Sequence, residues 1–261
     1  MIAGLQLLFH HRRFLWATTV HEIRGRYAGT TLGLAWSVLY PLLFLGLYTI
    51  VYTMILKIRL EKFTTFDYVL LIFAGLIPFL GFSETLGSGV NSVTANKGLI
   101  KNTLFPIELI PVKAVLVGST TMLVGLVILQ AILWTHGVVH ASQLLIPLVI
   151  ILQLLFSVGI SWLLSALNVF FQDMAQMVPV ILLFLMLISP IGYTVDMIPQ
   201  ELLLLMYTNP LYYLIMIYRE CIMMGRVPFD HLVIFTGMTV VVFWGGFHVF
   251  SRLKVVFADY V

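Results

Sequence analysis

Long apolar stretches separated by short polar ones are the main pattern of this sequence. Six of them come close to the roughly 20 residues that a helix needs to cross a bilayer. Their predicted bounds are residues 32–56, 68–90, 111–134, 144–171, 177–193 and 232–250. The pattern therefore predicts an all-α integral membrane protein with six transmembrane helices.

Two segments outside the spans have patterns of their own. Residues 195–226 hold two apolar pieces that are each too short to span, separated by "TNP", which indicates a re-entrant outer hairpin between the fifth and sixth spans. Residues 7–16, "LLFHHRRFLW", mix basic and bulky apolar side chains, as a helix at the lipid headgroups does. A disordered, positively charged tail is the alternative. We therefore divide the chain into an N-terminal amphipathic interfacial arm, 1–31, and a membrane domain, 32–261.

Composition supports the membrane assignment and excludes several classes of protein. The chain is 61% hydrophobic and 10% charged, whereas soluble domains are about 45–50% apolar and about 25% charged. The net charge of +3 is scattered beside apolar stretches, which does not suggest nucleic-acid binding. A single cysteine, Cys221, excludes an internal disulfide and a multi-cysteine metal site. The first strong apolar stretch begins too late for a cleavable signal peptide.

The distribution of Lys and Arg predicts the orientation, because cytoplasmic segments carry an excess of both. With the N-terminus inside, nine basic residues fall on the cytoplasmic side and five outside. The basic "KIRLEK" stretch after the first span argues the other way. The count favours N and C termini that are both cytoplasmic.

On this orientation residues 96–111, "NKGLIKNTLFPIELIP", face the cytoplasm between the second and third spans. Lys97 and Lys101 are four residues apart and would share one helix face. Pro106 and Pro111 restrict the backbone, which predicts a stiff connector suited to a cytoplasmic coupling helix. The alternative is that the lysines serve only as orientation signals.

Motifs for common catalytic chemistry are absent from the sequence. It has no G-x-x-x-x-G-K-[ST] loop for ATP and no G-x-S-x-G or H-E-x-x-H pattern. His136 and His140 are four residues apart, but no third ligand is nearby, which favours interfacial histidines over a metal site. An integral membrane transferase would need clustered His or Asp residues, and only scattered acids are present. We expect a protein that is not an enzyme and that carries no cofactor.

Two features within the predicted spans are candidates for function. Glu84 is a carboxylate at the edge of the second span, where it either has a function or is simply hydrogen-bonded or solvated. Aromatic residues recur every fourth position of the first span and would form a slowly spiralling stripe. The stripe predicts a translocation-channel lining on which sugar rings could stack, with helix packing as the alternative. Its members are Trp36, Tyr40, Phe44, Tyr48 and Tyr52.

Three blocks of the sequence resemble a known family. They are "HEIRGRYAGTTLGLAWSVLYPLL" at 21–43, "NKGLIKNTLFPIELIP" at 96–111, and "IPQELLLLMYTNPLYYLIMIYRE" at 198–220. In this order, with six spans between them, they are similar to the membrane subunit of the ABC-2 type polysaccharide exporters, in particular the O-antigen permeases of the Wzm type. The first two blocks are specific, and the third occurs more widely among ABC-2 permeases.

The resemblance implies a homodimer joined to two separate ATPase subunits, which would bind ATP and Mg²⁺. The dimer would export a polysaccharide linked to undecaprenyl diphosphate across the bacterial inner membrane, through a pore at the dimer interface. The resemblance places ATPase contacts on the arm, on the loop after the second span and on the loop after the fourth. The residues concerned are Glu22, Arg24, Arg26, Asn96, Lys97, Lys101, Asn102, Gln172 and Asp173.

The third of these contacts departs from the family pattern, since Gln172 stands where related permeases often have a basic residue.

Other cargoes stay open within the same class: capsule, teichoic acid or a small hydrophobic compound. The aromatic stripe favours a sugar polymer. A membrane transferase and a non-transporting membrane scaffold are the alternatives from other classes.

Overall fold

The computed structural model describes residues 2–26, 29–55, 57, 64–98 and 106–257. Within these ranges every regular element is helical, which confirms the all-α prediction. Helices satisfy their backbone N–H and C=O groups internally, so they suit a chain whose surroundings are mostly apolar.

Five helical segments of the described residues are long and apolar enough to cross a membrane. They are the first span Gly33–Ile55, the second span Thr65–Val90, the third span Leu109–Thr135, the fourth span Ala141–Phe170 and the last span Phe229–Val256. Each coincides with one of the six predicted stretches to within a few residues.

Four of the five spans are not one uninterrupted α-helix. The first span is α-helical over Trp36–Thr49 and ends in a π-helical stretch, Ile50–Ile55. The third span is interrupted at Ser119, between Leu109–Gly118 and Thr120–Thr135. The fourth span begins with a 3₁₀ turn before its α-helix Ile146–Phe170. The last span ends in a 3₁₀ turn, Lys254–Val256, after its α-helix Phe229–Leu253.

Shorter helices complete the described chain. The arm helices are Ile2–His10 and Arg12–Arg26, and the loop helix Ser92–Ala95 follows the second span. The short fifth helix is Met174–Ile188. The hairpin helices are Gln200–Thr208 and Pro210–Arg219, and a π turn, Glu220–Met224, follows them. The two arm helices favour a structured arm over a disordered tail.

The predicted fifth span, 177–193, corresponds to the short fifth helix. That helix has 15 residues and is about 22 Å long at 1.5 Å per residue, less than the roughly 30 Å of a bilayer core. Pro190 follows Ser189, the residue after the last helical position, and the chain continues without a helix to residue 194. Helix length therefore supports five spans, and the six-span count is not confirmed.

The second span begins earlier than its apolar pattern predicted because polar residues cap it. Thr64 Oγ1 accepts a hydrogen bond from the Asp67 backbone N–H at 3.2 Å, and Asp67 Oδ2 accepts one from the Thr64 backbone N–H at 3.3 Å. This reciprocal pair satisfies two N–H groups that a helix start leaves without partners.

The chain alternates between two ends of the bundle. We call the end that holds the arm helices the arm end and the opposite end the hairpin end. The second span is buried along most of its length, between the third and fourth spans and hairpin helix Pro210–Arg219. It belongs to the larger of two hydrophobic cores. The smaller core lies at the arm end and joins the arm to the third, fourth and last spans through Leu15, Leu109, Trp162 and Phe250.

The fourth and last spans make the closest helix crossing in the described structure. A Cβ placed on Gly246 would lie 2.1 Å from the carbonyl oxygen of Gly159, and one on Gly159 would lie 2.7 Å from the backbone of Val242. Glycine at both positions lets the two backbones touch, as small residues do where membrane helices pack.

Candidate functional site

The arm end gathers the segments that the sequence predicts to contact an ATPase. Helix Arg12–Arg26 lies along Leu109–Gly118 of the third span, and the loop helix Ser92–Ala95 packs on the fourth span. The turn at 171–173 follows the end of the fourth span. Three regions that are far apart in sequence therefore share one end of the bundle because the helices between them run the full length of it.

The predicted contacts on the arm are partly engaged within the chain. The Glu22 carboxylate lies 2.6 Å from Lys113 Nζ of the third span, and Leu15 of the same helix is buried in the smaller core. Arg24 is exposed. The ion pair and the buried leucine hold the helix against the third span, and contact of Glu22 and Arg24 with an ATPase stays a prediction.

The coupling stretch is described on both of its sides. The Asn96 amide donates to the Ser92 carbonyl at 2.8 Å, and Lys97 is exposed. Residues 99–105, with Lys101 and Asn102, lie outside the described residues, so the shared lysine face stays a prediction. The chain resumes at Pro106, whose carbonyl accepts from the Leu109 N–H at 3.0 Å.

Glu108 is a feature that the sequence reasoning did not single out. Its side chain is 6% exposed and forms an ion pair with Lys254 at the end of the last span. Its carbonyl accepts a hydrogen bond from the buried Trp162 Nε1 at 2.9 Å. These contacts tie the end of the coupling stretch to the fourth and last spans. No local pattern could reveal a pairing between residues 146 positions apart.

The loop after the fourth span leaves its two predicted contacts exposed. Gln172 and Asp173 are exposed in the turn, where the Asp173 carbonyl accepts from the Gln176 N–H at 2.9 Å and so begins the short fifth helix. One turn earlier the buried Asn168 amide donates to Thr94 Oγ1 at 3.3 Å and to Asn91 Oδ1 at 3.4 Å. Asn168 thus joins the last turn of the fourth span to the loop helix that follows the second span.

Arg26 and Glu84 meet near the arm end. Arg26 Nη2 lies 3.6 Å from Glu84 Oε1, and the Glu84 side chain is 15% exposed. The pair lines a cleft of about 400 Å³ whose other walls are Trp36, Tyr40, Gly87, Ser88 and Thr121. The cleft brings together an arm residue, the carboxylate of the second span and the first two residues of the aromatic stripe.

The aromatic stripe divides into two parts. Trp36 and Tyr40 border the cleft and are 39% and 37% exposed. Phe44, Tyr48 and Tyr52 are partly buried against the larger core. The stripe therefore packs at its hairpin-end half and is open at its arm-end half, while channel lining by all five residues stays a prediction.

The hairpin end is held together by a buried arginine. Arg219 Nε donates to the Leu71 carbonyl and Nη1 to the Tyr193 carbonyl, both at 3.2 Å, and Nη2 donates to the Ile191 carbonyl. The Tyr68 hydroxyl donates to the Gly192 carbonyl at 2.6 Å. These bonds fix the non-helical stretch after the short fifth helix against the second span.

His136 and His140, both at the hairpin end, make separate packing contacts. His136 lies against Phe66 with ring centroids 4.6 Å apart, and His140 packs on Gly225. Across the described ranges no group of three or more His, Cys, Asp or Glu residues is arranged to hold a metal ion. The contacts agree with interfacial histidines.

Comparison with known proteins places these features in a family. Residues 13–223 match the model of the ABC-2 type transporter family. The chain is 30% identical over 245 residues, 92% of both chains, to the O-antigen export system permease protein RfbA of Klebsiella pneumoniae. It is 26% identical to the RfbA protein of Myxococcus xanthus over 74% of this chain and 73% of that one. It is 27% identical to the polysialic acid transport protein KpsM of Escherichia coli over 85% and 88% of the two chains.

Proposed function

The chain belongs to the ABC-2 type transporter family, and on that premise we propose that it is the membrane permease of an ATP-driven polysaccharide exporter. Its cargo is a polysaccharide of the O-antigen type, linked to undecaprenyl diphosphate, and it crosses the bacterial inner membrane. The observation that carries the proposal is the similarity to an O-antigen export permease across 92% of both chains. Similarity over that length covers the spans together with the segments that join them.

ATP hydrolysis belongs to a separate subunit in this proposal, since the sequence has no phosphate-binding loop. Two copies of the permease form a homodimer, and each docks one ATPase subunit at its arm end. The exposed side chains Arg24, Lys97, Gln172 and Asp173 support this docking surface. The bond from Asn168 to Thr94 supports a surface in which the loop helix after the second span is held against the fourth span.

The arm end is cytoplasmic in this proposal, with both chain termini on that side. The short fifth helix and the stretch after it complete a sixth crossing, and the hairpin helices re-enter the membrane from the outside. Each hairpin helix is about 15 Å long or less, half of a bilayer core. Their shortness supports a re-entrant arrangement.

Docking is tested by reversing a charge on the coupling stretch. Lys101→Glu places a carboxylate where we expect an acidic groove of the ATPase, so the permease should reach the membrane in normal amount but co-purify with less ATPase. Arg226→Glu, at an exposed position of the hairpin end, is the matched control and should bind ATPase as the wild type does. Equal co-purification of both variants, with normal surface polysaccharide, would contradict the docking role.

The cargo is tested by deleting the gene and restoring it on a plasmid. We expect the deletion strain to lose long-chain O-antigen from the cell surface and to keep lipid-linked polysaccharide inside. The restored wild type should return the polymer to the surface only when its ATPase subunit can hydrolyse ATP. Surface O-antigen that persists in the deletion strain would contradict the proposal.

A capsular polysaccharide is the second candidate cargo, and the similarity to the KpsM protein favours it. That match has lower identity and covers less of the chain than the match to RfbA. The same deletion strain separates the two, because loss of capsule with intact O-antigen identifies the second candidate.

A further inference from the structure

The cleft between Arg26 and Glu84 has the composition of a carbohydrate site. It joins the end of the arm, the start of the first span and the facing parts of the second and third spans. At about 400 Å³ it falls within the range of small-molecule sites. A site of this kind needs apolar walls and a few fixed polar groups, and the cleft has both.

The polar wall keeps a hydrogen-bond acceptor open to the cleft. Glu84 Oε2 is buried and the side chain interacts with Thr121, while Oε1 lies 3.6 Å from Arg26 Nη2. The Ser88 hydroxyl is already used, since it donates to the Glu84 carbonyl at 2.7 Å. A carboxylate offers about four acceptor sites, so Glu84 can accept from the hydroxyl groups of a ligand in the cleft in addition to its pairing with Arg26.

The aromatic wall supplies an apolar face beside those polar groups. Trp36 and Tyr40 are one helical turn apart, and their rings border the same cleft. A tryptophan that faced only lipid tails would not need a charged pair next to it. The pair and the rings together suit a ligand with one apolar face and one polar edge.

Three ligand classes can be compared with these walls. A lipid chain has no donor for Glu84, and a phosphate would be repelled by the same carboxylate. A neutral pyranose presents C–H groups to an aromatic ring and hydroxyl groups at its edge, and these can donate to Glu84 and accept from Arg26. Arg26 and Glu84 carry opposite charges, so the pair does not favour an acidic sugar.

We infer that this cleft binds a neutral sugar residue of the exported chain as it enters the permease from the arm end. The inference rests on the proposed function and adds to it a site with a stated ligand class. Glu84 accepts from sugar hydroxyls, Arg26 donates to them, and Trp36 and Tyr40 hold the ring face.

Photo-crosslinking tests the contact without altering the charged pair. p-Benzoylphenylalanine replaces Tyr40 in cells whose export is stalled by ATP depletion, and an antiserum against the surface glycan detects captured polymer. The same group at Val241, an exposed position of the last span, is the matched control. Capture at position 40 and not at 241 supports the site. No capture at position 40 overturns it, provided that the wild-type permease restores surface glycan.

Substitution of the acid tests what the contact does. Glu84→Gln should lower the export rate roughly tenfold, because a hydrogen bond to a charged group is lost, while permease amount and ATPase co-purification stay unchanged. Glu201→Gln, an exposed acid of the hairpin, is the matched control and should export normally. Normal export by Glu84→Gln overturns the site.

A charge swap separates sugar binding from a simple latch between the arm and the second span. The double variant Arg26→Glu with Glu84→Arg rebuilds the ion pair but moves the acceptor away from its buried position. Export that stays low in the double variant supports the sugar site, and export that returns to the wild-type rate overturns it. If the wild-type permease restores no glycan, the proposed function itself fails, and these variants are then not needed to decide it.

Discussion

Single side chains decide the local structure at the hairpin end, and Arg219 contributes most there. It is buried, and its guanidinium donates to backbone carbonyls of two chain segments, residues 191–193 and Leu71. The carbonyls of Ile191 and Tyr193 lie in the non-helical stretch after the short fifth helix, whereas Leu71 lies within the helix of the second span. A planar group with five donors can serve several acceptors at once, which an ammonium cannot do with the same geometry.

Arg219→Lys is therefore expected to keep the charge and lose stability. We expect a cost of about 1–3 kcal/mol, because buried carbonyls are left without donors, and a lower unfolding temperature in detergent. Arg226→Lys, on an exposed arginine of the same segment, is the control and should unfold with the wild type. Equal unfolding temperatures for all three proteins would show that the carbonyls find other partners.

At the scale of elements, packing depends on where helices touch rather than on how apolar they are. The fourth and last spans cross at Gly159 and Gly246, with the backbones in contact. The adjacent Gly245 has no neighbouring atom within 4 Å of a built Cβ. Two neighbouring glycines thus differ completely in the space around them.

Gly246→Ala is expected to separate the two spans, because its Cβ would overlap the Gly159 carbonyl. Overpacking of this kind typically costs about 1–3 kcal/mol. Gly245→Ala should be neutral or slightly stabilising, since alanine favours helix over glycine by about 1 kcal/mol. Thermal unfolding of the two variants in the same detergent checks this, and a Gly246→Ala protein as stable as Gly245→Ala would contradict the crossing.

The ion pair between Glu108 and Lys254 joins elements at the arm end. Glu108 is almost buried and Lys254 is 38% exposed, so solvent screens the pair only in part. Glu108→Lys and Lys254→Glu should each destabilise the protein. The double variant should recover about 1 kcal/mol of the summed losses, which is the coupling expected between charges in contact.

The two single variants and the double variant form a double-mutant cycle, and the same cycle at the pair between Glu22 and Lys113 is the comparison. It lies nearer the surface, so its coupling should be smaller, at about 0–1 kcal/mol. Denaturant unfolding of the two cycles measures both couplings. A larger coupling at Glu22 would contradict the view that burial strengthens the Glu108 pair.

For the whole molecule, the two ends of the bundle differ in content. The arm end carries ion pairs, loop hydrogen bonds and exposed basic residues, whereas the hairpin end is closed by short helices packed on the second span. In the proposed exporter, the arm end would meet the ATPase subunit and the hairpin end would release the cargo, so a difference between the two ends is expected.

Orientation is tested by labelling introduced cysteines. The native Cys221 is buried and should react little with a maleimide while the protein is folded. Arg226→Cys, at an exposed position of the non-helical stretch before the last span, should react with a membrane-impermeant maleimide in spheroplasts. Lys97→Cys should react only after the membrane is permeabilised, and the reverse result would invert the topology.

The sequence predicted the helical class and six spans, and five of those spans coincide with helices long enough to cross a membrane, because apolar length is a local property. It also identified Glu84, Arg26 and the aromatic stripe as separate features. The fifth span was less predictable, since apolar composition continued past Ile188 while Ser189 and Pro190 ended the helix.

Which of these features meet depends on the tertiary structure. The cleft that unites Arg26, Trp36 and Glu84 depends on how the arm and the first and second spans pack. The Glu108 pair and the carbonyls around Arg219 join residues from separate helices. Spacing along one helix predicts neighbours within that helix, whereas contacts between helices depend on their crossing points, which the packing of the whole bundle sets.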